Sequence, residues 1–286
     1  MLKTAYLTID DSPTSQTDDL TDFLVANDIP AILYCIGGAY EDLGITGQGI
    51  EQNPQPLLNA IDKGFALGNH LYTHQRSSDL TADQIIAEIE ATEAQIERLY
   101  KQSGKARPFK TLRFPHLDRG CGGWVIDYDR AGVHKEWLEH LFLGGLNITL
   151  APPSAVQIDI KARVQDYLKA EGFTNEIFAD VIYPWFTDTE MAQAFDALCT
   201  FSSADWMLNP AFAAHSQSWP HKNVPDLIGK IDMDAALNDN TSADIILMHD
   251  HENLLPITIP LIKHMLENGI KFLPPTMASN FCRPQE

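Results

Sequence analysis

Three short apolar runs in this chain each end on a cluster of acids or histidines, and that repeated ending constrains the fold more than any other feature. Ala5-Tyr6-Leu7-Thr8-Ile9 runs into Asp10-Asp11, and Phe65-Ala66-Leu67-Gly68-Asn69 runs into His70-Leu71-Tyr72-Thr73-His74. Late in the chain, Ile245-Ile246-Leu247-Met248 runs into His249-Asp250. Runs this short and this apolar read as buried strands, and amphipathic helical patterns separate them. Strand, helix, strand, helix in that order implies a parallel sheet or barrel, so the expected class is α/β. In such folds the ends of buried strands carry the chemistry. A carboxylate and two imidazoles can hold a divalent metal and leave positions open. A second carboxylate and a further histidine would supply a base and an acid. The pattern points to metal-assisted hydrolysis.

Between these runs the punctuation is legible. Thr17, Asp18 and Asp19 supply helix start signals before the stripe Leu20, Phe23, Leu24 and Val25, and Pro30 ends that helix. Ala31–Ile36 reads as a second buried strand closed by Gly37-Gly38, and a helix follows near Gln55–Lys63 with Gly64 as its cap. Residues 81–102 are the clearest helix, with Thr81 and Gln84 as a capping-box pair and Ile85, Ile89, Ile96 and Leu99 at helical spacing. Lys110–Pro115 is expected as a strand that enters a site loop. From Gly120 to about Leu198 the rhythm breaks, with helical patterns near 134–142, 161–171 and 187–198. We expect a single domain over residues 1–286 with an insertion or lid subdomain at about 120–198. The alternation resumes at Cys199–Ser202, then Asp244–Met248, a helix at 257–268 and a last strand, Ile270–Leu273.

The net charge of −19 argues against nucleic acid or an anionic membrane as partner. It fits a neutral or cationic substrate, and it equally serves solubility alone. No apolar run approaches the roughly 20 residues of a membrane span. The strand pattern begins at once, which leaves no room for a signal peptide, so the expected location is cytoplasmic. Cys35, Cys121, Cys199 and Cys282 are scattered without a C-x-x-C pair, which disfavours a cysteine zinc site; Cys35 reads as a small core residue.

Each cluster also has a plainer reading. Asp10-Asp11 could be a solvated turn, and in a continuing strand the two side chains would point apart. A turn at Ser12-Pro13 would instead bring both to one pocket. The H-x-x-x-H pair serves either as ligands or as surface histidines. Arg113 is either a surface ion-pair partner or the cation that holds a catalytic carboxylate ionised and oriented. His249 is the strongest single acid candidate. Asp205-Trp206 means little alone. His116 and His251 adjoin the clusters, whereas His134, His140, His215, His221 and His264 read as surface residues.

Together these segments resemble the polysaccharide deacetylases with a NodB-type domain, carbohydrate esterase family four. Five stretches fall in that family's order: Thr8-Ile9-Asp10-Asp11-Ser12-Pro13-Thr14, His70-Leu71-Tyr72-Thr73-His74, Arg113-Phe114-Pro115-His116, Ser203-Ala204-Asp205-Trp206 and Leu247-Met248-His249-Asp250. The resemblance covers roughly residues 5–118 and 198–274. It implies an incomplete, distorted (β/α) barrel of the NodB type, with a long insertion between the third and fourth motifs. It also implies that Asp11, His70 and His74 bind a divalent metal, usually Zn2+, with Co2+, Ni2+ or Mn2+ as alternatives.

On the same resemblance Asp10 is the general base, water at the metal is the nucleophile, and Arg113 pairs with Asp10. His249 protonates the leaving amine while Asp205 orients its imidazole. Pro115 and His116 would bind substrate, the backbone N–H of His116 helping to hold the oxyanion, and Trp206 and Leu247 would wall the acetyl methyl. Three departures stand out: Ser12 in place of a glycine, strained if that position needs positive φ; His116 in place of a tyrosine; and a fourth motif that comes unusually late. The expected activity is that of a metal-dependent amidohydrolase acting on an N-acetyl or other N-acyl group of an amino sugar or oligosaccharide. A deformylase or amidohydrolase for a small cytoplasmic amide is the enzymatic alternative. A sugar-binding pseudoenzyme and an iron(II) oxygenase are the alternatives of other classes.

Overall fold

Strand β1 (Thr4–Ser12) is buried from Ala5 to its end and lies at the middle of the parallel sheet that organises the molecule. The structure is a computed structural model that describes residues 3–42, 45–120, 153–214 and 216–276, with two short strands at 124–125 and 148–149. Flanking β1 are β2 (Ala31–Cys35) and, after the β3–β4 hairpin (Tyr40–Asp42 and Ile45–Gly47), β5 (Ala66–Asn69) beyond it. On the other side lie β9 (Asp244–His249) and β8 (Phe201–Ser202), while β10 (Lys271–Phe272) pairs with the start of β1. The short strands β6 (Trp124–Val125) and β7 (Ile148–Thr149) pair with each other. All pairings within the central sheet are parallel, as the alternation with helices requires. Among the described residues the sheet does not close on itself, which agrees with an incomplete barrel.

Helices α1 (Thr17–Ala26), α2 (Gln55–Lys63) and α3 (Ala82–Ser103) follow the three early strands, and the caps expected for α2 and α3 are present. Thr81 and Gln84 form the reciprocal capping box, and Gly64 ends α2 at φ 98°, a conformation that favours glycine. Later helices are α4 (Ala155–Ala170), two single turns α5 (Pro184–Thr187) and α6 (Glu190–Gln193), α7 (Val224–Met233) and α8 (Leu255–Glu267). No helix among the described residues is long and apolar enough to cross a membrane.

Period-two alternation sorts the strands into two faces. Leu7 and Ile9 of β1, Leu33 and Cys35 of β2, and Ile246 and Met248 of β9 pack outward under the helices. Tyr6, Ile32, Tyr34, Ala66, Ile245 and Leu247 face the other way, against Tyr183, Trp185 and Phe186. Continuing that inner series along β1 and β9 leads through Thr8 and Leu247 to Asp10 and His249, which are register partners. The strand pattern therefore delivers an acid and an imidazole to one end of the interior.

Two expected elements differ. Lys110–Pro115 forms no full strand: Leu112 bridges Asn69, the Asn69 N–H donates to Thr111 O at 2.9 Å and the Arg113 N–H to Asn69 O at 2.9 Å. On its other side the Leu112 carbonyl accepts from Ala197 N–H at 2.6 Å and Lys110 bridges Phe173, and Pro108 and Pro115 bracket the segment, so pairing is limited to two isolated bridges. The helical pattern at 187–198 resolves into single turns and then an extended Ala197-Leu198, whose carbonyls accept from the Arg113 guanidinium. The 161–171 pattern is α4, begun earlier at the Ser154–Gln157 capping box. The pattern at 134–142, with His134 and His140, lies outside the described residues, as do His215, Cys121 and Cys282.

Candidate active site

Asp10 and Asp11 reach one pocket because the chain leaves strand geometry between them. Asp10 keeps register with His249, and Asp11 takes the left-handed conformation, φ 68°. Alternation would have sent the second carboxylate to the opposite face; the torsion returns it. The positive φ falls on Asp11 rather than on Ser12, so the expected strain at Ser12 is absent. Aspartate tolerates this region better than most residues. Ser12 is buried and donates to Asp250 Oδ2 at 2.9 Å.

His70 and His74 belong to a loop rather than a helix, with Leu71 at φ 60° and His74 at φ 58°. The loop is tied from below: Gly37 and Gly38 N–H groups donate to Leu71 O and Tyr72 O. From the side, Glu88 Oε2 of α3 accepts the Tyr72 and Thr73 N–H groups at 2.9 and 2.7 Å. His70 Nδ1 lies 2.8 Å from the Arg113 carbonyl, which acts only as an acceptor, so Nδ1 carries the hydrogen and Nε2 offers its lone pair.

Asp11 Oδ1 lies 3.2 Å from His70 Nε2 and 3.0 Å from His74 Nε2. One donor atom from each of the three residues falls within 4.8 Å of the others, and all three side chains are buried. Oδ1 of Asp11 is buried without a hydrogen-bond partner. An orphaned carboxylate oxygen facing two imidazole nitrogens is the arrangement a divalent cation satisfies, and the mixed N,N,O donor set suits zinc and its neighbours. Burial opposes the charge of Asp11, but His74, His251 and His70 overcome it and hold its carboxyl well below the usual range.

The other groups surround this cluster. Arg113, fully buried, donates from Nη1 to Asp10 Oδ1 at 2.8 Å and to Thr8 Oγ1 at 2.7 Å, and its guanidinium lies 4.5 Å from the Tyr34 ring centroid. Burial works against that guanidinium, yet the Asp10 carboxylate, with Tyr34 and Cys199 adding, outweighs it and raises the pKa. His249 Nδ1 sits 2.7 Å from Asp205 Oδ1, and the His249 backbone N–H donates to Asp205 Oδ2 at 2.9 Å. Burial again disfavours the imidazolium, but the Asp205 carboxylate, with Asp11 and Asp10 adding, lifts the pKa to about 9. His116 is at φ 56°, and its ring lies tilted with its centroid 4.7 Å from that of His74; burial and then the neighbouring positive charges of His74 and Arg76 push its pKa down to about 3.

These residues line a cavity of about 280 Å³ with His70, His74, Asp10, Asp11, His116, Trp206, Leu247 and His249 on its walls. Arg113 and Asp205 stand buried behind the wall. Pro115 is buried in the turn that presents His116 and does not line the cavity. Sequence reasoning missed Arg76, Leu117, Ser202 and Phe212, which belong to no motif and reach the cavity only through tertiary structure. His251, noted only as a neighbour of the last motif, lies 2.5 Å from Asp11 through its Nε2. His221 and His264 are partly exposed and outside the cavity.

Residues 2–119 match the family model described as polysaccharide deacetylase. A chitin deacetylase of Colletotrichum lindemuthianum is 27% identical over 186 residues, covering 61% of this chain and 61% of that protein. A peptidoglycan-N-acetylmuramic acid deacetylase of Bacillus subtilis is 29% identical over 104 residues, covering 36% of this chain and 35% of its own length. The chain thus spans less than two thirds of the curated relatives it matches. The solved Colletotrichum chitin deacetylase superposes with a TM-score of 0.54 at 16% identity, over 96% of this chain and 86% of that one. The catalytic domain of a peptidoglycan N-acetylglucosamine deacetylase from Eubacterium rectale gives a TM-score of 0.56 at 17% identity, over 98% and 91%. At these identities the likeness is one of fold.

Proposed function

We propose that the chain, whose residues 2–119 match the polysaccharide deacetylase family model, hydrolyses the N-acyl amide of an amino sugar, with acetyl as the acyl group and Zn2+ as the metal at Asp11, His70 and His74. One observation carries the reading. A single cavity holds a buried three-donor cluster, a carboxylate aimed by a buried arginine, and an imidazole backed by a second carboxylate. Two relatives whose names give chitin and peptidoglycan as substrates support an amino sugar.

A divalent ion at this cluster supplies Lewis acidity, polarising the acyl carbonyl and acidifying water. The rest of the chemistry falls to the chain. Asp10, whose Oδ2 is 3.8 Å from His70 Nε2, takes a proton from the attacking water as its oxygen bonds to the carbonyl carbon. Arg113 and Thr8 fix the carboxylate beforehand, so little reorganisation accompanies the transfer. As the C–N bond breaks, His249 gives its Nε2 proton to the departing nitrogen, which leaves as a neutral amine, and the acid is released. Asp205 keeps the imidazole protonated and oriented. A positioned acid of this kind contributes ~10²–10⁴-fold in rate. His116, neutral because of its depressed pKa, adds no further cation, and Trp206 and Leu247 form the apolar side of the acyl site.

The small cavity favours a second reading with the same chemistry. Its volume of about 280 Å³ falls just below the roughly 300–1,000 Å³ of ligand pockets. That size suits a small N-acylated molecule, a formamide included, as well as one sugar unit.

The test is release of acetate and formate from a panel of N-acylated sugars and small amides, with and without chelator. Wild type is run beside His74→Ala and Asp10→Asn. Release that disappears with chelator and in both variants is expected. A wild-type protein that binds metal and releases neither acid from any panel member would remove the hydrolase reading.

A further inference from the structure

The two oxygens of Asp11 have different partners. Oδ1 faces Nε2 of both His70 and His74, while Oδ2 lies 2.5 Å from His251 Nε2. His251 is not part of the three-donor cluster. A carboxylate only accepts, so Nε2 of His251 carries the hydrogen of that contact. The ring is held from several directions, with the Phe212 ring centroid 5.8 Å away and that of His249 5.3 Å away. Its backbone is anchored as well. The Asp250 N–H donates to Asp10 O at 2.9 Å, and the Asp250 carboxylate accepts from Ser12, Thr14 and Thr17 at the end of β1 and the start of α1. His251 and Asp11 therefore ride on the same rigid junction between β1 and β9.

We propose that His251 is a positioning residue of the metal centre: by occupying Oδ2 it restricts Asp11 to one donor oxygen, Oδ1. The inference rests on the reading of Asp11, His70 and His74 as metal ligands. A free carboxylate can bind through one oxygen or both, and it rotates between these modes. With Oδ2 taken, the protein offers three donor atoms, and the remaining positions stay available for water and the acyl oxygen, as a catalytic site needs. The hydrogen bond also fixes the carboxylate plane before any ion arrives. Hydrogen-bonded partners of metal ligands commonly govern affinity by ~10–100-fold.

The experiment measures Zn2+ affinity of the full chain by competition with a chromophoric chelator, and the visible absorption of the Co2+-loaded protein, for wild type, His251→Ala and His251→Gln. Circular dichroism of each metal-free protein checks the fold. His251→Ala is expected to bind Zn2+ ~10–100-fold more weakly and to show weaker Co2+ absorption, because the released Oδ2 raises the coordination number. His251→Gln retains an N–H donor and is expected to stay within a few-fold of wild type with an unchanged Co2+ spectrum. Equal affinity and equal spectra in wild type and His251→Ala would overturn the proposal. So would a glutamine variant as weak as the alanine one, which would make His251 itself a ligand. A wild-type protein with no affinity for either ion would bring down the metal reading that the proposal stands on, a different result from either.

Discussion

Replacing Asp205 by asparagine keeps its size and removes its charge, and the consequence falls on His249. In the native site that imidazole has a pKa of about 9 against an ordinary 6.5, although burial alone would lower it. The interval corresponds to ~3 kcal/mol of preference for the protonated ring. The Asp205 carboxylate is the largest contributor to that preference, through its charge and the 2.7 Å contact to Nδ1. Without it burial dominates, and the pKa falls to 6.5 or below. The acid works only when protonated, so activity is present below this pKa and is lost as pH rises through it. At pH 8 about 90% of His249 is protonated in wild type and about 3% or less in the variant, a ~30-fold loss of rate from protonation alone. The assay is the pH dependence of kcat/KM for the wild type and Asp205→Asn. An alkaline limb that stays at the wild-type position would refute the assignment of His249 as acid.

Two further substitutions probe the scaffold under the site. Arg113→Met leaves the Asp10 carboxylate buried without its cation and strips a donor from Ala197 O and Leu198 O. It should cost ~3–5 kcal/mol in urea unfolding, and a loss below ~1 kcal/mol would show that the pair is not coupled to the fold. Gly68→Ala would place a Cβ 2.4 Å from Tyr34 Cδ1. That ring is pinned by Thr111 Oγ1 at 3.0 Å and by Arg113, so the variant should lose ~1–3 kcal/mol in the same measurement. Full recovery of stability in Gly68→Ala/Tyr34→Leu would place the whole cost in that one overlap, and no recovery would contradict it.

The parts of the site legible in the sequence are those set by local periodicity. Ala5–Ile9, Phe65–Asn69 and Ile245–Met248 are apolar runs short enough to be strands, and each hands the chain to its polar cluster at the same end of a parallel sheet. The α3 capping box, Gly64 and buried Cys35 follow from equally local rules. What stayed hidden depends on contacts across the chain. Lys110–Pro115 has a strand's composition, but its second hydrogen-bonding edge is taken by Ala197. Residues 187–198 carry a helical pattern, yet two of their carbonyls are drawn to Arg113, more than seventy residues earlier. Phe212 and Arg76 reach the cavity from segments with no periodic signal. His251 was visible only as a neighbour of His249; its contact to Asp11 joins opposite ends of the chain.

The backbone around the cavity explains why adjacent residues can hold different offices. Asp11, Leu71, His74 and His116 all occupy the left-handed region, with φ between 56° and 68°, and none is glycine. Each such residue costs roughly 1–2 kcal/mol relative to ordinary geometry, and strain of this kind persists only where surrounding contacts over-determine it. Here they do. The His70–His74 loop is held by the glycine N–H groups after β2 and by Glu88 of α3, and Asp11 is held by His251 at one oxygen. A relaxed strand would have separated Asp10 from Asp11 across the sheet, and the H-x-x-x-H pair would have needed a helix to share a face. The left-handed residues replace both requirements. They turn Asp11 and His74 toward the same point while Asp10 and His249 stay on strand register, so the metal-binding trio and the acid–base pair are set by separate structural devices. A substitution that relaxes the trio's loop should therefore weaken metal binding before it disturbs the Asp10–Arg113 and His249–Asp205 pairs, which the sheet itself holds in place.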